Sequence, residues 1–493
     1  MRCCPGPGDD CGNPPLRVEP RVTAEFDPES APSRVFDVVV VGAGISGLVT
    51  AYRLQAAGLA VQVLDAAPRP GGVIGSVARD GCLFERGPNS ALDTSPLIGE
   101  LVAALGLGPQ LRFASAVADK RYVVRDGVLL ALPVSPGALF STRLFSASAK
   151  LALLREIFVA RSPPQAEESI AAFVRRRLGR EFLDYAIDPF VAGIYAGDPE
   201  RISVRAAFPK LHALEQRWGS LIRGQVLGAR ERRRQLETAG NTAKSFSFEL
   251  GMQQLTDALA AALSGLSLNT RATRIERDDA GLFTLHAKQQ DRHREWRARA
   301  LVLATPADAS AALLREHAPD AVAALEAIDY APVASVASAY ARSAIEHPLD
   351  GFGCLVPRNE KRRILGVLFS SSMFDGRAPA GTALLTTFVG GQRNPELPGL
   401  PEEQIAALAH DEHGALLGSC SLPLFQAVTR WPRAIPQYTL GHLQRVARTA
   451  AAQRALPGLF FCASWKGGVS VGDCIRGGHL EADAVAAWLR ARA

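Results

Sequence analysis

A chain of 493 residues that is 47% hydrophobic, 21% charged and 7% aromatic has an ordinary globular composition, and at roughly 150 residues per domain it is long enough for about three. Disordered, collagen-like and disulfide-scaffold classes are thereby excluded. The 55 basic and 49 acidic residues leave a net charge of +6 with no block of five like charges, too dilute for a nucleic-acid footprint.

The first 34 residues carry six acids against four Arg and no apolar run of the kind found in a secretory signal; they are expected to form a disordered extension. Structure is predicted to begin at Val35–Val41, a β-branched run ending at Gly42, followed by a helical pattern through Leu48, Ala51 and Leu54. A second strand, Ala60–Leu64, then ends on Asp65, completing a βαβ unit of about thirty residues. From Ser148 to Leu221 helical spacing and basic side chains dominate, broken at Pro163-Pro164 and at Ala192–Pro199. The short runs Arg175 to Arg177 and Arg232 to Arg234 are expected on solvated helix faces. Leu144 to Ala160 reads as a basic amphipathic helix that would suit either core packing or a bilayer surface.

Strand, turn and helix return at Ser245–Phe248, Gly251 and Leu255–Leu263, followed by strands at Thr270–Glu276 and Ala300–Ala304. Residues 331 to 390 alternate apolar runs with turns, as an antiparallel sheet would. Leu459–Ala463 leads into a last helix from about His479. The longest uncharged stretches fall short of the ~18 apolar residues of a membrane span, so none is predicted. The eight cysteines show no metal-ligand spacing, and scattered single thiols suit a reducing cytoplasm.

Gly42-Ala43-Gly44-Ile45-Ser46-Gly47 fits G-x-G-x-x-G, and Asp65 follows Gly47 by 18 residues. In a strand–turn–helix context the first Gly permits the turn, the second lets backbone approach a pyrophosphate, and the third allows close helix packing. The phosphate charge would then sit on helix N–H groups. Asp65 is assigned to the ribose hydroxyls in preference to a surface cap. Arg69-Pro70-Gly71-Gly72 could bend around a second phosphate or the flavin end, or be an ordinary Pro-Gly turn. Phe84–Ser90 and Gly467–Cys474 add close-approach backbone, the second opening a helix. Trp431–Tyr438 is too rich in Trp, Pro and Tyr for a helix interior and reads as a rigid crossing or a pocket lining.

With Lys120-Arg121-Tyr122, Asp188–Pro199, Leu368-Phe369-Ser370-Ser371, Thr386–Gly391, Ala434–Tyr438 and Val469–Cys474, these motifs make the chain resemble the FAD-dependent, oxygen-using protoporphyrinogen oxidase family of the flavin amine oxidase fold group, from about Asp37 to Trp488. The resemblance implies an α/β protein with a discontinuous Rossmann-like FAD domain (35–88, 245–310 and 455–493), an α+β substrate domain (89–111, 225–244 and 311–454) and a mainly helical, possible membrane-associating insert (112–224). It implies noncovalent FAD held by Gly42, Gly44, Gly47, Asp65, Arg69, Gly72, Val73, Gly87, Pro88, Asn89, Ser464, Val469, Ser470 and Val471. It further implies Arg121 on a substrate propionate, the Gly193 carbonyl on pyrrole N–H, and Leu355, Leu368 and Phe388 around the macrocycle. Without the resemblance, Arg121 reads as a surface charge, Gly193 as a turn and the three apolar residues as core.

Two departures stand out: Asp65 replaces the family's longer Glu, and Cys462–Lys466 replaces a Gly-Asn-Tyr-Arg arrangement. The implied activity is six-electron oxidation of protoporphyrinogen IX, with FAD as hydride acceptor and O2 as terminal acceptor, and with no protein general base assigned. It implies a cytoplasmic enzyme, with the inner face of the membrane as the surface for any peripheral contact, and is compatible with a homodimer. The alternatives are coproporphyrinogen III oxidation, another flavin amine oxidase or desaturase, and a flavin-free binding protein of the kind seen in GDP-dissociation inhibitors.

Overall fold

The computed structural model describes residues 34–163, 165–227, 243–290 and 292–492. The tail expected to be disordered, its three cysteines and the Arg232 to Arg234 run lie outside them. Two seven-stranded sheets organise the chain. In the first, strand β1 (Val35–Val41) sits centrally between β2 (Val61–Leu64) and the long strand Arg292–Leu303, parallel to both, with Leu459–Phe461 parallel to the end of the latter. Val38 and Val40 enter one core cluster, Val39 and Val41 the other. Burial on both faces explains why β1 reads as a continuous β-branched run rather than an alternating one.

Helix α1 (Ile45–Ala56) returns from β1 to β2 and packs against the C-terminal helix Val471–Arg490. That helix begins eight residues before the expected His479. Gly472, Gly477 and Gly478 weaken the local helical signal, yet close packing requires one of them: a Cβ on Gly478 would stand 2.9 Å from the Val49 Cβ and 3.0 Å from the Ser46 carbonyl oxygen.

The second sheet runs in the order Phe425–Pro436, Tyr330–Ala341, Thr382–Gly390, Ile364–Leu368, Gly353–Leu355, Arg121–Arg125 and Val128–Ala131. Residues 331 to 390 lie in the expected antiparallel sheet. Arg121–Arg125 and Val128–Ala131, by contrast, were expected in the helical insert but join this sheet, closed by Asp126-Gly127 with φ of 54° and 76°. Positive φ at both central residues is the signature of a tight two-residue hairpin. Tyr122 and Val124 pack with Cys354 and Val367 in the cluster that includes helix Glu402–Leu417, so the hairpin is held by the sheet's own core. Residues 89–111 likewise leave their expected partner: Ala91–Leu92 and Leu111–Phe113 pair with Ser245–Phe248, while Ile98, Leu101 and Val102 join the cluster around α1.

The helical region between the hairpin and residue 227 is built on a buried ionic cluster. Arg177 is 2% exposed and donates to Glu215 at 2.6 and 2.8 Å and to Glu156 at 2.8 Å. Read from sequence as part of a solvated run, it lies inside because two carboxylates from distant helices meet its fork. The Leu144–Ala160 segment is correspondingly not one helix. Leu144 and Phe145 are buried, the helix covers Ala147–Arg155, and the fully buried Glu156 opens a 3-10 turn by accepting the Leu221 N–H and the Ser220 hydroxyl. Its apolar residues Leu151, Leu154 and Phe158 remain 61%, 52% and 80% exposed. Among the described residues no helix is long and apolar enough to cross a membrane, and no His/Cys/Asp/Glu group could hold a metal.

Candidate active site

The turn after β1 is built for close approach. Gly42 has φ of 110°, and a Cβ there would stand 2.6 Å from the Ala304 carbonyl oxygen; one on Gly47 would overlap the Gly42 carbonyl oxygen, whereas Gly44 faces open space. Helix α1 starts at Ile45 with no side-chain cap, so its first-turn N–H groups are left for an anion. Asp65 accepts the Ala43 N–H at 2.6 Å on one carboxylate oxygen and the Ala67 N–H at 2.7 Å on the other. The carboxylate therefore fixes the glycine turn and keeps one lone pair per oxygen for a ribose.

Two further loops close on this turn. Gly71 donates its N–H to the Ala43 carbonyl at 2.7 Å, and a Cβ on Gly72 would lie 3.4 Å from the Gly44 Cα. Arg69 turns inward: its guanidinium donates to the carbonyls of Pro70, Gly72 and Ile74 at 3.1, 2.9 and 2.6 Å. Burial and then the neighbouring Arg86 lower its pKa. It shapes the loop whose Val73 is exposed, and a Cβ on Gly87 would overlap the Val73 carbonyl oxygen. Asn89 donates to the Gly87 carbonyl at 3.3 Å, and Pro88 stands half-buried between them. A turn with no room for a Cβ at Gly42 or Gly47 and open space at Gly44, uncapped helix amides and an acid at the end of β2 together fit a flavin dinucleotide.

The C-terminal segment is held from outside. Ser464 opens a short helix, Ser464–Gly467, and its carbonyl accepts the Tyr438 hydroxyl; Val469 and Ser470 precede the last helix, and Val471 is its first residue. The Ser470 hydroxyl accepts the Asp473 N–H at 3.0 Å. Lys466, in the stretch that departs from the family pattern, is engaged elsewhere, pairing with Glu481 at 2.9 Å and donating to the Phe461 carbonyl at 2.8 Å.

Strand register assembles the expected substrate residues. Phe388, Gly366, Leu355 and Val123 are paired in one row across four strands; Thr386, Leu368, Gly353 and Arg121 form the row two residues away. Rows two residues apart share a face, so Arg121, Leu355, Leu368 and Phe388 lie on one side of the second sheet. Helix Asp188–Tyr195, entered through a π-helical turn at Leu183–Ile187, lies against that side, with Gly193 exposed and its Cβ position 2.9 Å from Leu355 Cδ2. Arg393 pins the helix start, donating to Asp188 at 2.7 Å; the Gln392 N–H pins its end at the Ala196 carbonyl, also 2.7 Å.

Arg121 lies over the Phe352 ring at 5.1 Å and has no carboxylate partner among the described residues, whereas Lys120 beside it pairs with Asp350 at 2.6 Å. On the same face, Ser335 pairs with Phe388 and donates its hydroxyl to the Arg86 carbonyl at 3.1 Å; Trp431 Nε1 donates to that carbonyl at 2.8 Å. The loop carrying Gly87 and Asn89 thus abuts the face carrying Arg121 and Phe388. Sequence reasoning missed Ser335, whose only signal was its place in a strand, and gave Tyr438 no contact of its own.

Residues 45–486 match the model of the flavin containing amine oxidoreductase family. The chain is 33% identical over 479 residues to the mitochondrial protoporphyrinogen oxidase of Nicotiana tabacum, covering 92% of this chain and 95% of that one. It is 27% identical over 455 residues to the coproporphyrinogen III oxidase of Bacillus subtilis, covering 89% and 95%. Among solved structures, a proposed protoporphyrinogen oxidase from Exiguobacterium superposes with a TM-score of 0.76 at 24% identity over 92% of this chain and 99% of that one, a likeness of fold.

Proposed function

Because the chain belongs to the flavin-containing amine oxidoreductase family, and within it to the protoporphyrinogen oxidases, we propose that it oxidises protoporphyrinogen IX to protoporphyrin IX in three two-electron steps, with O2 as the terminal acceptor. FAD supplies the hydride-accepting chemistry; the protein supplies binding and orientation. The glycine turn, Asp65, the Gly72-Val73 and Gly87–Asn89 loops, Ser464 and Val469–Val471 would hold it, with Arg69 fixing the loop that reaches the pyrophosphate.

On the substrate side, the Arg121 guanidinium would fork onto a propionate and the Gly193 carbonyl would accept a pyrrole N–H. Leu355, Leu368 and Phe388 would exclude water from the macrocycle's faces. The two rows of the sheet offer no His or carboxylate, so the one proton released per two-electron step would pass from a pyrrole N–H to solvent water, with tautomerisation redistributing the remaining hydrogens within the macrocycle. The observation that carries this reading is the abutment, through the Arg86 carbonyl, of the dinucleotide loops and the Arg121–Phe388 face.

Purified protein should be yellow, with one acid-releasable FAD per chain, and should convert pure protoporphyrinogen IX to the fluorescent porphyrin with loss of O2. A colourless protein that takes up no FAD would sink the reading. The similarity to a coproporphyrinogen III oxidase keeps that substrate as a second reading, which a higher kcat/KM on coproporphyrinogen III would favour. The exposed Leu151, Leu154 and Phe158 beside Lys150 and Arg155 support peripheral attachment to a bilayer carrying the apolar substrate. The reading also takes the first sheet and its helices as the flavin domain, the second sheet as the substrate domain and the helical region as an insert.

A further inference from the structure

The Trp431–Tyr438 crossing ends in two buried polar residues whose polar groups bind different segments. Gln437, 2% exposed, donates its side-chain amide to the Tyr195 carbonyl at 2.7 Å and the Ile435 carbonyl at 3.0 Å. Tyr195 is the last residue of the helix that carries Gly193. A Cβ on Gly197, just past that helix, would stand 2.7 Å from Gln437 Oε1, so the side chain fills the space where the helix ends.

Tyr438, 3% exposed, sets its ring 5.7 Å from that of Tyr195, but its hydroxyl binds another segment, donating to the Ser464 carbonyl and accepting the Gly468 N–H at 2.8 Å. The His442 ring stacks on it at 4.0 Å and 14°, and His442 Nε2 donates to the Trp465 carbonyl at 2.9 Å. Three successive points of the segment 464–468 are thus gripped by one pair of rings. The bond donated to the Ser464 carbonyl requires a protonated phenol, and the His442 bond requires a proton on Nε2. Burial keeps the phenol protonated by raising Tyr438 and keeps the His442 ring neutral by lowering it to about 4, and the Trp465 carbonyl, which can only accept, fixes the ring proton on Nε2.

We infer that Gln437 and Tyr438 are paired positioning residues, a brace that sets the helix carrying Gly193 against the segment Ser464–Val471, Gln437 registering the substrate side and Tyr438 the flavin side. The inference rests on the flavin reading of that segment. Neither side chain need touch substrate or cofactor; each acts through backbone that does.

The test uses the holoenzyme and two near-isosteric variants, Tyr438→Phe and Gln437→Met. Flavin fluorescence gives the FAD dissociation constant, and steady-state turnover of protoporphyrinogen IX gives KM and kcat. Tyr438→Phe should weaken FAD roughly tenfold, the effect of orphaning a buried hydrogen-bonding group, and shift the flavin absorption band while leaving KM unchanged. Gln437→Met should raise KM several-fold and leave FAD affinity and the flavin spectrum as in wild type. Should Tyr438→Phe not accumulate as folded protein, His442→Leu, which deletes the Trp465 bond, carries the same expectation. Wild-type FAD affinity in the flavin-side variant overturns the brace, and so does a parallel loss of both constants in both variants, which would mark simple destabilisation. If instead wild-type protein takes up no FAD, it is the functional reading that has failed.

Discussion

Gly193→Ala separates packing from function at one atom. The residue sits inside helix Asp188–Tyr195, where replacing Gly by Ala gains about 1 kcal/mol of helix propensity. The added Cβ would stand 2.9 Å from Leu355 Cδ2 and 3.8 Å from Cδ1, so Leu355 must turn. A displaced rotamer costs about 0.5 to 1.5 kcal/mol. The two contributions nearly cancel, and the thermal midpoint should move by no more than about 2 °C. FAD should stay bound, since the nearest cradle loop is on another element. Turnover should respond differently. The methyl projects from the exposed face of the helix toward the Leu355 and Phe388 row, where overpacking a fitted surface costs about 1 to 3 kcal/mol. On protoporphyrinogen IX that is a fall of roughly 5-fold to 150-fold in kcat/KM, carried mainly by KM. Unchanged kcat/KM on both porphyrinogens, with an unchanged midpoint, would refute the placement of substrate against Gly193.

Arg121→Ala should lower kcat/KM about thirtyfold, the low end of the cost of leaving a charged partner unpaired, because the guanidinium is half-exposed; Arg121→Lys should recover only part, and equal turnover in all three proteins would make Arg121 a surface charge. Asp65→Asn removes one of two carboxylate acceptors and turns an amide N–H₂ toward the Ala43 or Ala67 N–H, so FAD affinity by fluorescence titration should fall roughly tenfold or more; unchanged affinity counts against Asp65 as the dinucleotide acid. Leu151→Ser/Phe158→Ser should abolish flotation with anionic liposomes at low salt while solution turnover of detergent-dispersed substrate persists; a wild-type protein that does not float would end the bilayer proposal. Burial depresses His413 to about 3 and His442 to about 4 from an ordinary 6.5. The unfolded chain therefore binds more protons below pH 6.5, and stability contributed by the neutral rings is present above that pH and lost as pH falls toward 4. Two such groups give a slope of at most about 2.7 kcal/mol per pH unit, and denaturant midpoints that stay flat from pH 7 to 4.5 would contradict it.

What the sequence disclosed depended on how local each signal was. The β1–α1–β2 unit carries its instructions within thirty residues: β-branched run, three glycines at fixed spacing, an acid at the end of the second strand. Two of the glycine roles are enforced by steric clashes, Gly47 with the Gly42 carbonyl and Gly42 with Ala304, while Gly44 faces the open space left for a ligand. The substrate face is different. Arg121, Leu355, Leu368 and Phe388 come from four strands, and only pairing across the sheet puts them on one side; as isolated residues they remain a charge and three apolar side chains, and the family likeness alone grouped them. Asp126-Gly127, flanked on both sides by short strands, is a hairpin signal that the helical reading of 112–224 passed over. Arg177 shows the opposite failure. A run of three arginines on an amphipathic helix looks solvated, and its interior place depends on Glu156 and Glu215, 21 and 38 residues distant, whose own burial no local pattern records. The same holds for Gln437 and Tyr438. Their type suggests a buried polar pair, but the direction of each hydrogen bond is set by which carbonyl the chain brings to it, Tyr195 from one side and Ser464 from the other. A buried polar group in a large α/β protein is thus legible as a requirement for a partner, while the identity of the partner is a property of the fold.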